Sequence, residues 1–262
     1  MYESRFDVAN FALRIDVHGI MDKIPDRLPN GTGFLLATKQ GLFLATCWHV
    51  VTNKNPTNGR FIAGEGSPTD LGVWFRQAGE MNSRLKAYYP LYNEGRPSFY
   101  AHPNPRAADL ALLPITCPEG TELNPIRPQA LGGAVALQPC AQLAVPGFPL
   151  GLHSSGDAMG FGGHPICKTV HLATSIEANH NGRQVALVDG TARGGMSGSP
   201  VMFIDGSVWI CCGIYSAQDS VSELGEITKI TALTECLREA KLEPRSPVKP
   251  DRIRRTAFDP GP

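Results

Sequence analysis

The sequence predicts an all-β protein of antiparallel strands with one short helix near its C-terminus. Three observations carry that expectation. The apolar runs are of strand length, as in Leu42-Phe43-Leu44-Ala45 and Val201-Met202-Phe203-Ile204. They are separated by stretches rich in Gly, Pro and polar residues, as over residues 52 to 70 and Cys117 to Gly133, that read as loops. Only Ile230 to Ala240 spaces its apolar residues at helical intervals, with Ile230, Leu233, Cys236 (or Leu237) and Ala240 on one face.

In chain order, Phe11-Ala12-Leu13-Arg14-Ile15-Asp16-Val17 alternates apolar and polar residues and reads as an opening strand. Met21 to Asn30 is a polar loop. Gly31 to Thr38 and Leu42 to Thr46 form a hairpin turning at Lys39-Gln40-Gly41. Residues 52 to 70 are rich in Asn, Gly, Pro and Thr, a loop flanking a short strand at Arg60–Ala63. Leu71–Phe75 and Leu85–Tyr89 are further strands. Tyr100 to Pro105 is a proline-bracketed loop, with His102 read as a loop residue, and it leads into the run Asp109–Ile115. From Cys117 to Gly133 periodicity fades, as a crossing between two halves requires. Ala141 to Gly151 begins the second half, and Thr169–Ile176, Gln184–Val188, Val201–Ile204 and Val208–Tyr215 read as its strands, the last two joined by a turn at Asp205-Gly206. Glu243 to Pro262 carries prolines and scattered charges with few core residues, so a disordered tail is expected.

The chemistry concentrates in Thr191-Ala192-Arg193-Gly194-Gly195-Met196-Ser197-Gly198-Ser199-Pro200. Glycines around one serine present its hydroxyl on a tight turn, because Gly195 and Gly198 reach backbone conformations that a Cβ forbids. The amides of Gly195 and Ser197 are thereby candidates to converge on an oxyanion. Such a serine needs a base, and the base needs an orienting partner. His49, delivered by the apolar strand Gly41–Thr46, is the candidate base. Asp109, a lone carboxylate opening an apolar run, needs a partner that an imidazole N–H can supply.

The order His, Asp, Ser in these contexts resembles the trypsin-like (chymotrypsin-fold) serine proteases, in the style of their bacterial and viral members. Thr46-Cys47-Trp48-His49-Val50-Val51 is similar to the family's Thr-Ala-x-His segment. Ala108-Asp109-Leu110-Ala111-Leu112-Leu113 is similar to its Asp-Ile-Ala-Leu-Leu segment, and Gly195-Met196-Ser197-Gly198-Ser199-Pro200 to its Gly-x-Ser-Gly-Gly-Pro segment. Pro146-Gly147-Phe148-Pro149 resembles a Gly-Tyr-Pro segment of bacterial relatives. The resemblance covers residues 12 to 240. It implies two six-stranded antiparallel Greek-key barrels with the active site between them. On that reading residues 1–242 form one protease domain, with barrel one over 6–116, barrel two over 134–228, a closing helix over 229–241, and a tail over 243–262. The implied catalytic residues are His49, Asp109 and Ser197, with Gly195 and Ser197 as the oxyanion hole. Alignment by motif places Thr191 on the floor of the S1 pocket, Ser216 near Asp109, and Ala217 and Gln218 along the pocket wall. An uncharged floor implies a preference for small or medium aliphatic P1 residues. Met196 stands where digestive members keep the Asp that pairs with a newly cut N-terminus, so activation by trimming is not expected. Ser199 stands where the family usually has glycine.

The 24 basic and 24 acidic residues balance, which gives no electrostatic case for nucleic acid or an anionic membrane as a partner. Charges interrupt the first thirty residues, and no stretch reaches membrane-spanning length, so a cytoplasmic protein is expected. The odd cysteine count and the apolar settings of Cys47, Cys211 and Cys212 favour reduced thiols packed as small hydrophobes. His164, Cys167 and His171 lack the paired spacing of a zinc site. No metal or cofactor is expected. The expected partners are a protein or peptide substrate and a regulatory protein that controls activity. The main alternative is a catalytically silent binding module on the same fold. An esterase is a third reading, since the same acyl-enzyme chemistry cleaves esters.

Overall fold

The hairpin expected over residues 31–46 sits in the middle of the larger of two sheets. The computed structural model describes residues 8–19, 30–132, 136–149, 164–190, 194–218 and 223–256, so nearly all of the loop expected over Met21–Asn30 lies outside the described residues. The first strands in chain order are β1 (Ala12–Gly19), β2 (Gly31–Thr38) and β3 (Gly41–Thr46), followed by a helical turn α1 (Trp48–Thr52). Then come β4 (Pro68–Gln77), β5 (Glu80–Pro90), the short pair β6 (Tyr92–Asn93) and β7 (Arg96–Pro97), β8 (Tyr100–Ala101) and β9 (Ala111–Pro114). The second half holds β10 (Gln142–Gly147), β11 (Ile166–His171), β12 (Val185–Val188), β13 (Pro200–Asp205), β14 (Val208–Gln218) and β15 (Gly225–Lys229). Helix α2 (Ile230–Leu242) and strand β16 (Arg252–Thr256) close the chain.

Strands β11-β10-β13-β14-β15-β12 form the second sheet, antiparallel throughout. Its two outer strands meet through a bridge from Leu172 to Val188, with Ala173 N–H donating to Leu187 O at 2.7 Å and Asp189 N–H to His171 O at 2.9 Å. Six strands thus close into a barrel, and no edge is left open to pair with another chain. The first sheet runs β16-β5-β4-β1-β2-β3-β9-β8. It has eight strands where six were expected. Residues 100–101, expected to be loop, pair with β9, and the C-terminal segment adds to β5.

Up to Thr256 that C-terminal segment is ordered, where a disordered tail was expected over 243–262; residues 257–262 lie outside the described residues. Val248 N–H donates to Pro114 O at 2.8 Å and Thr116 N–H to Val248 O at 3.0 Å, after which β16 pairs with β5 from Arg252–Tyr88 to Thr256–Arg84. The tail therefore spans from the end of β9 to β5 across the open side of barrel one. Main-chain hydrogen bonds need no apolar side chains, and the arginines that read as disorder lie on aromatic faces. Arg252 sits 3.8 Å from the Tyr88 ring centroid and Arg245 4.4 Å from that of Tyr100.

Alternation along the strands builds two cores. Ile15, Val17, Phe34, Leu36, Leu44, Val73, Phe75 and Leu112 fill the first, and Leu143, Val145, Val170, Val188, Val201 and Ile227 the second. Helix α2 docks on the first with Ile230, Leu233, Cys236 and Ala240, the face its spacing predicts. Complete burial of a side chain such as Leu233 contributes about 1.5–3 kcal/mol. Cys47, Cys211 and Cys212 are buried as small hydrophobes. No described helix is long and apolar enough to cross a membrane. The strand expected at Arg60–Ala63 reduces to a single bridge between Lys54 and Phe61.

Candidate active site

The serine turn is held from both barrels. Gly195 and Gly198 have φ of 97° and 92°, in the left-handed region that favours glycine. A Cβ at Gly198 would stand 1.9 Å from the Thr32 carbonyl oxygen, so the turn lies directly against β2. Thr32 fastens it there: its N–H donates to Ser197 O at 2.8 Å and its hydroxyl donates to Gly195 O at 2.7 Å. The same hydroxyl accepts Phe148 N–H at 3.2 Å. From β14, Tyr215 O accepts Gly198 N–H at 2.8 Å and Tyr215 N–H donates to Ser199 O at 2.9 Å. Among the described residues neither the Gly195 nor the Ser197 amide donates to a protein acceptor. Met196 is buried in the second core. Ser199 is accommodated because Gly147 has no Cβ, which would lie 2.2 Å from the Ser199 hydroxyl oxygen.

His49 does not sit at a strand end, as the sequence implied, but on the helical turn α1 just after it. Thr46 closes β3 by donating its hydroxyl to Thr32 O at 2.8 Å, and Cys47 leads into the turn. Asn53 ends the turn with φ 57°, its N–H donating to His49 O at 2.8 Å. Its side-chain amide donates to Ala63 O and Gly66 O at 3.0 Å each, tying down the following loop. Asparagine suits both tasks because it tolerates the left-handed region and carries two side-chain donors.

Asp109 is buried and spends both oxygens on His49. Oδ1 accepts His49 N–H at 3.0 Å, and Oδ2 lies 2.5 Å from His49 Nδ1. With the Nδ1 proton directed at the carboxylate, Nε2 is left as the acceptor nitrogen. Burial by itself pulls the imidazole pKa down, but the charge and hydrogen bond of Asp109 outweigh it and raise the pKa above the usual 6.5. Cys47, His49 and Asp109 bring their ligand-type atoms within 4.8 Å of one another. They do not suit a metal: burial and then the Asp109 charge push the Cys47 thiol well above its ordinary pKa, and His49 and Asp109 are spent on each other.

His49, Asp109, Ser197, Ser216 and Ala217 share one cleft between the barrels, of about 330 Å³. Its wall also contains the ion pair Arg183–Glu226, with Nη1 to Oε1 at 2.8 Å. Among the described residues the Ser197 hydroxyl takes no hydrogen-bond partner. The Ser216 hydroxyl donates to Glu226 O at 3.3 Å and not to Asp109. Gln218 ends β14 opposite Gly225. Thr191 lies outside the described residues. Sequence reasoning missed Thr32, Asn53, Arg183 and Glu226. Only Thr32 carried a signal, a hydroxyl between two glycines in an otherwise apolar strand.

His164 and His171 are spent elsewhere. The first lies 2.6 Å from Arg76 Nη2 through Nδ1, and the second pairs with Asp189 at 3.0 Å.

The trypsin-like peptidase domain family matches residues 31–209. No curated protein sequence matches the chain. Among solved structures, Rv3671c from M. tuberculosis H37Rv, a serine-to-alanine mutant in an inactive form, superposes with a TM-score of 0.53 at 16% identity, covering 91% of this chain and 90% of that one. A thermostable serine protease from an extremophilic microorganism superposes with a TM-score of 0.50 at 12% identity, covering 90% and 98%. Both likenesses bear on the fold, which is the double barrel with a C-terminal helix. The family match extends over well more than half of the sequence, and the chain belongs to the trypsin-like peptidase domain family.

Proposed function

We propose that the chain is a serine endopeptidase that cleaves peptide bonds through Ser197, His49 and Asp109. The observation that carries this reading is the two-point contact of Asp109 with His49, which leaves Nε2 free in the cleft that also holds Ser197. Ser197 attacks the peptide carbonyl while His49 takes its proton, and His49 then gives that proton to the leaving amine. Asp109 holds the tautomer and stabilises the imidazolium, and the amides of Gly195 and Ser197 receive the oxyanion. Water then cleaves the acyl-enzyme by the same route. Thr191, Ala217 and Gln218 are assigned to the S1 region, with small or medium aliphatic P1 residues preferred; a profile dominated by Arg or Lys overturns that preference.

Control by a protein partner and a cytoplasmic setting belong to the same proposal. The unpartnered Ser197 hydroxyl supports control, since a hydrogen bond to His49 is what a bound partner or substrate would complete. The same observation favours the second reading, a binding module without turnover. Fluorophosphonate labelling of wild type, Ser197→Ala and His49→Ala, with the adduct located by mass spectrometry, separates the two. An adduct on Ser197 that depends on His49 is expected. A folded wild type that stays unlabelled, both purified and in lysate, overturns the peptidase reading.

A further inference from the structure

Helix α2 does more than cover the first core, because it reaches the loop that carries Asp109. That loop is closed at its base by the pairing of Ala101 with Ala111 and by His102 N–H donating to Leu110 O at 3.1 Å, with Asp109 on its returning limb. Pro103 and Pro105 remove two main-chain donors from it, so its shape depends on bonds from elsewhere. Within the loop, Ala107 N–H and Ala108 N–H donate to Asn104 O at 2.9 and 3.1 Å. His102 aims its buried ring at the same residue, with Nδ1 2.8 Å from Asn104 O and 3.2 Å from Asn104 N. Its other nitrogen, Nε2, lies 2.8 Å from Glu235 Oε2 on α2. Glu235 Oε1 accepts the side-chain amide of Gln184 at 3.0 Å. Gln184 N–H in turn donates to Ala107 O at 2.8 Å, so the second barrel grips the same loop.

We infer that Glu235 and His102 are positioning residues for the proposed reaction: a carboxylate–imidazole clamp that fixes the loop over 102–110 and, through it, the orientation of Asp109 toward His49. The inference deepens the peptidase reading above and rests on it. Neither residue lines the cleft, so the clamp acts only through Asp109. The Gln184 hydrogen bond and then that of His102 hold the Glu235 carboxyl below its usual range, against the opposing effect of burial. Glu235 is therefore an ionised acceptor at neutral pH, and His102 Nε2 carries the proton it donates. Asp109 in turn contacts His49 at two points, so a shift of its main chain disturbs both bonds at once. A misplacement of about 1 Å at a reacting group is worth about 10²-fold in rate.

The test compares wild type with Glu235→Ala, His102→Leu and Glu235→Gln in the full chain. Two quantities are read: steady-state peptide cleavage, and the low-field NMR resonance of the His49 Nδ1 proton, assigned by its loss in His49→Gln. Glu235→Ala and His102→Leu are expected to lower kcat by about 10- to 100-fold with KM within about threefold of wild type, and to shift or broaden that resonance. Glu235→Gln keeps an acceptor for His102 Nε2 and is expected to bring both readings back near wild type. The Glu235 side chain is 36% exposed, so Glu235→Ala decides alone if His102→Leu fails to fold. A Glu235→Ala chain with a lowered Tm but unchanged kcat and resonance shows a merely structural contact. That result, or a Glu235→Gln chain as slow as Glu235→Ala, overturns the clamp and leaves the peptidase reading standing. A wild type that neither labels at Ser197 nor cleaves overturns that reading, and the catalytic role of the clamp with it.

Discussion

Two carboxylates face the same cleft and are used in opposite ways. Asp109 has both oxygens engaged by one residue, through the His49 amide and ring, whereas Glu226 has one oxygen on Arg183 and the other unpaired. The first arrangement fixes an orientation, since neither the carboxylate nor the ring can turn without losing a bond. The second leaves an oxygen buried and unsatisfied among the described residues, which costs stability. A carboxylate's role at a site is thus set by how completely its neighbours satisfy it, and not by its burial, which is similar in the two.

Replacing Ser197, or the Asp109 that orients His49, gives the largest expected effect. Ser197→Ala lowers kcat by on the order of 10⁶, and Asp109→Asn by about 10⁴ because the wrong tautomer is then favoured. Steady-state turnover of a peptide substrate measures both, and a Ser197→Ala rate within tenfold of wild type removes the assignment. The Arg183–Glu226 pair is expected to matter less for rate and more for folding. Glu226→Leu alone costs about 3 kcal/mol by stranding Arg183, while the double variant Arg183→Met with Glu226→Leu returns to within about 1 kcal/mol of wild type. Urea unfolding of the three chains checks this, and a single variant as stable as the double shows that the pair is not desolvated.

A smaller effect separates the pairs by pH. Because Asp109 raises the His49 pKa, the acid limb of kcat/KM lies above pH 6.5, and Asp109→Asn, which leaves burial to act alone, moves it downward. The stability carried by this shift has a definite sign. A raised pKa favours the folded state fully below the unfolded value near 6.5 and is lost as pH rises through the folded value. The stability difference between wild type and His49→Gln therefore shrinks from pH 6 to pH 8, and a difference that grows over that range contradicts the raised pKa. Smallest of all, Arg252→Ala removes the contact with Tyr88 and costs about 0.5–1 kcal/mol, a fall in Tm of about 1–4 °C. An unchanged Tm shows that β16 is held by its main chain alone.

The helix and the tail show why parts of the fold could be read in advance and others could not. Ile230, Leu233, Cys236 and Ala240 announce α2 because an amphipathic face writes its own period into the chain. Strand β16 carries no such period. It exists because β5 offers unpaired main-chain groups, which Arg252 to Thr256 meet regardless of side chain. The same contrast holds at the site. His49, Asp109 and Ser197 stand in local contexts with distinctive composition, whereas Arg183 and Glu226 lie in unremarkable strings 43 residues apart and acquire meaning only by meeting.

By itself the sequence determined the strand-rich class, the hairpin ahead of His49, the glycine turn around Ser197 and the closing helix, because each follows from the period or conformational freedom of neighbouring residues. Only the tertiary structure decided that Thr32 fastens the serine turn, that the tail spans the open side of barrel one, and that Glu226 meets Arg183 through a single hydrogen bond. Those outcomes depend on hydrogen bonds between segments distant in the chain, and such bonds are chosen by which groups folding leaves adjacent and unsatisfied.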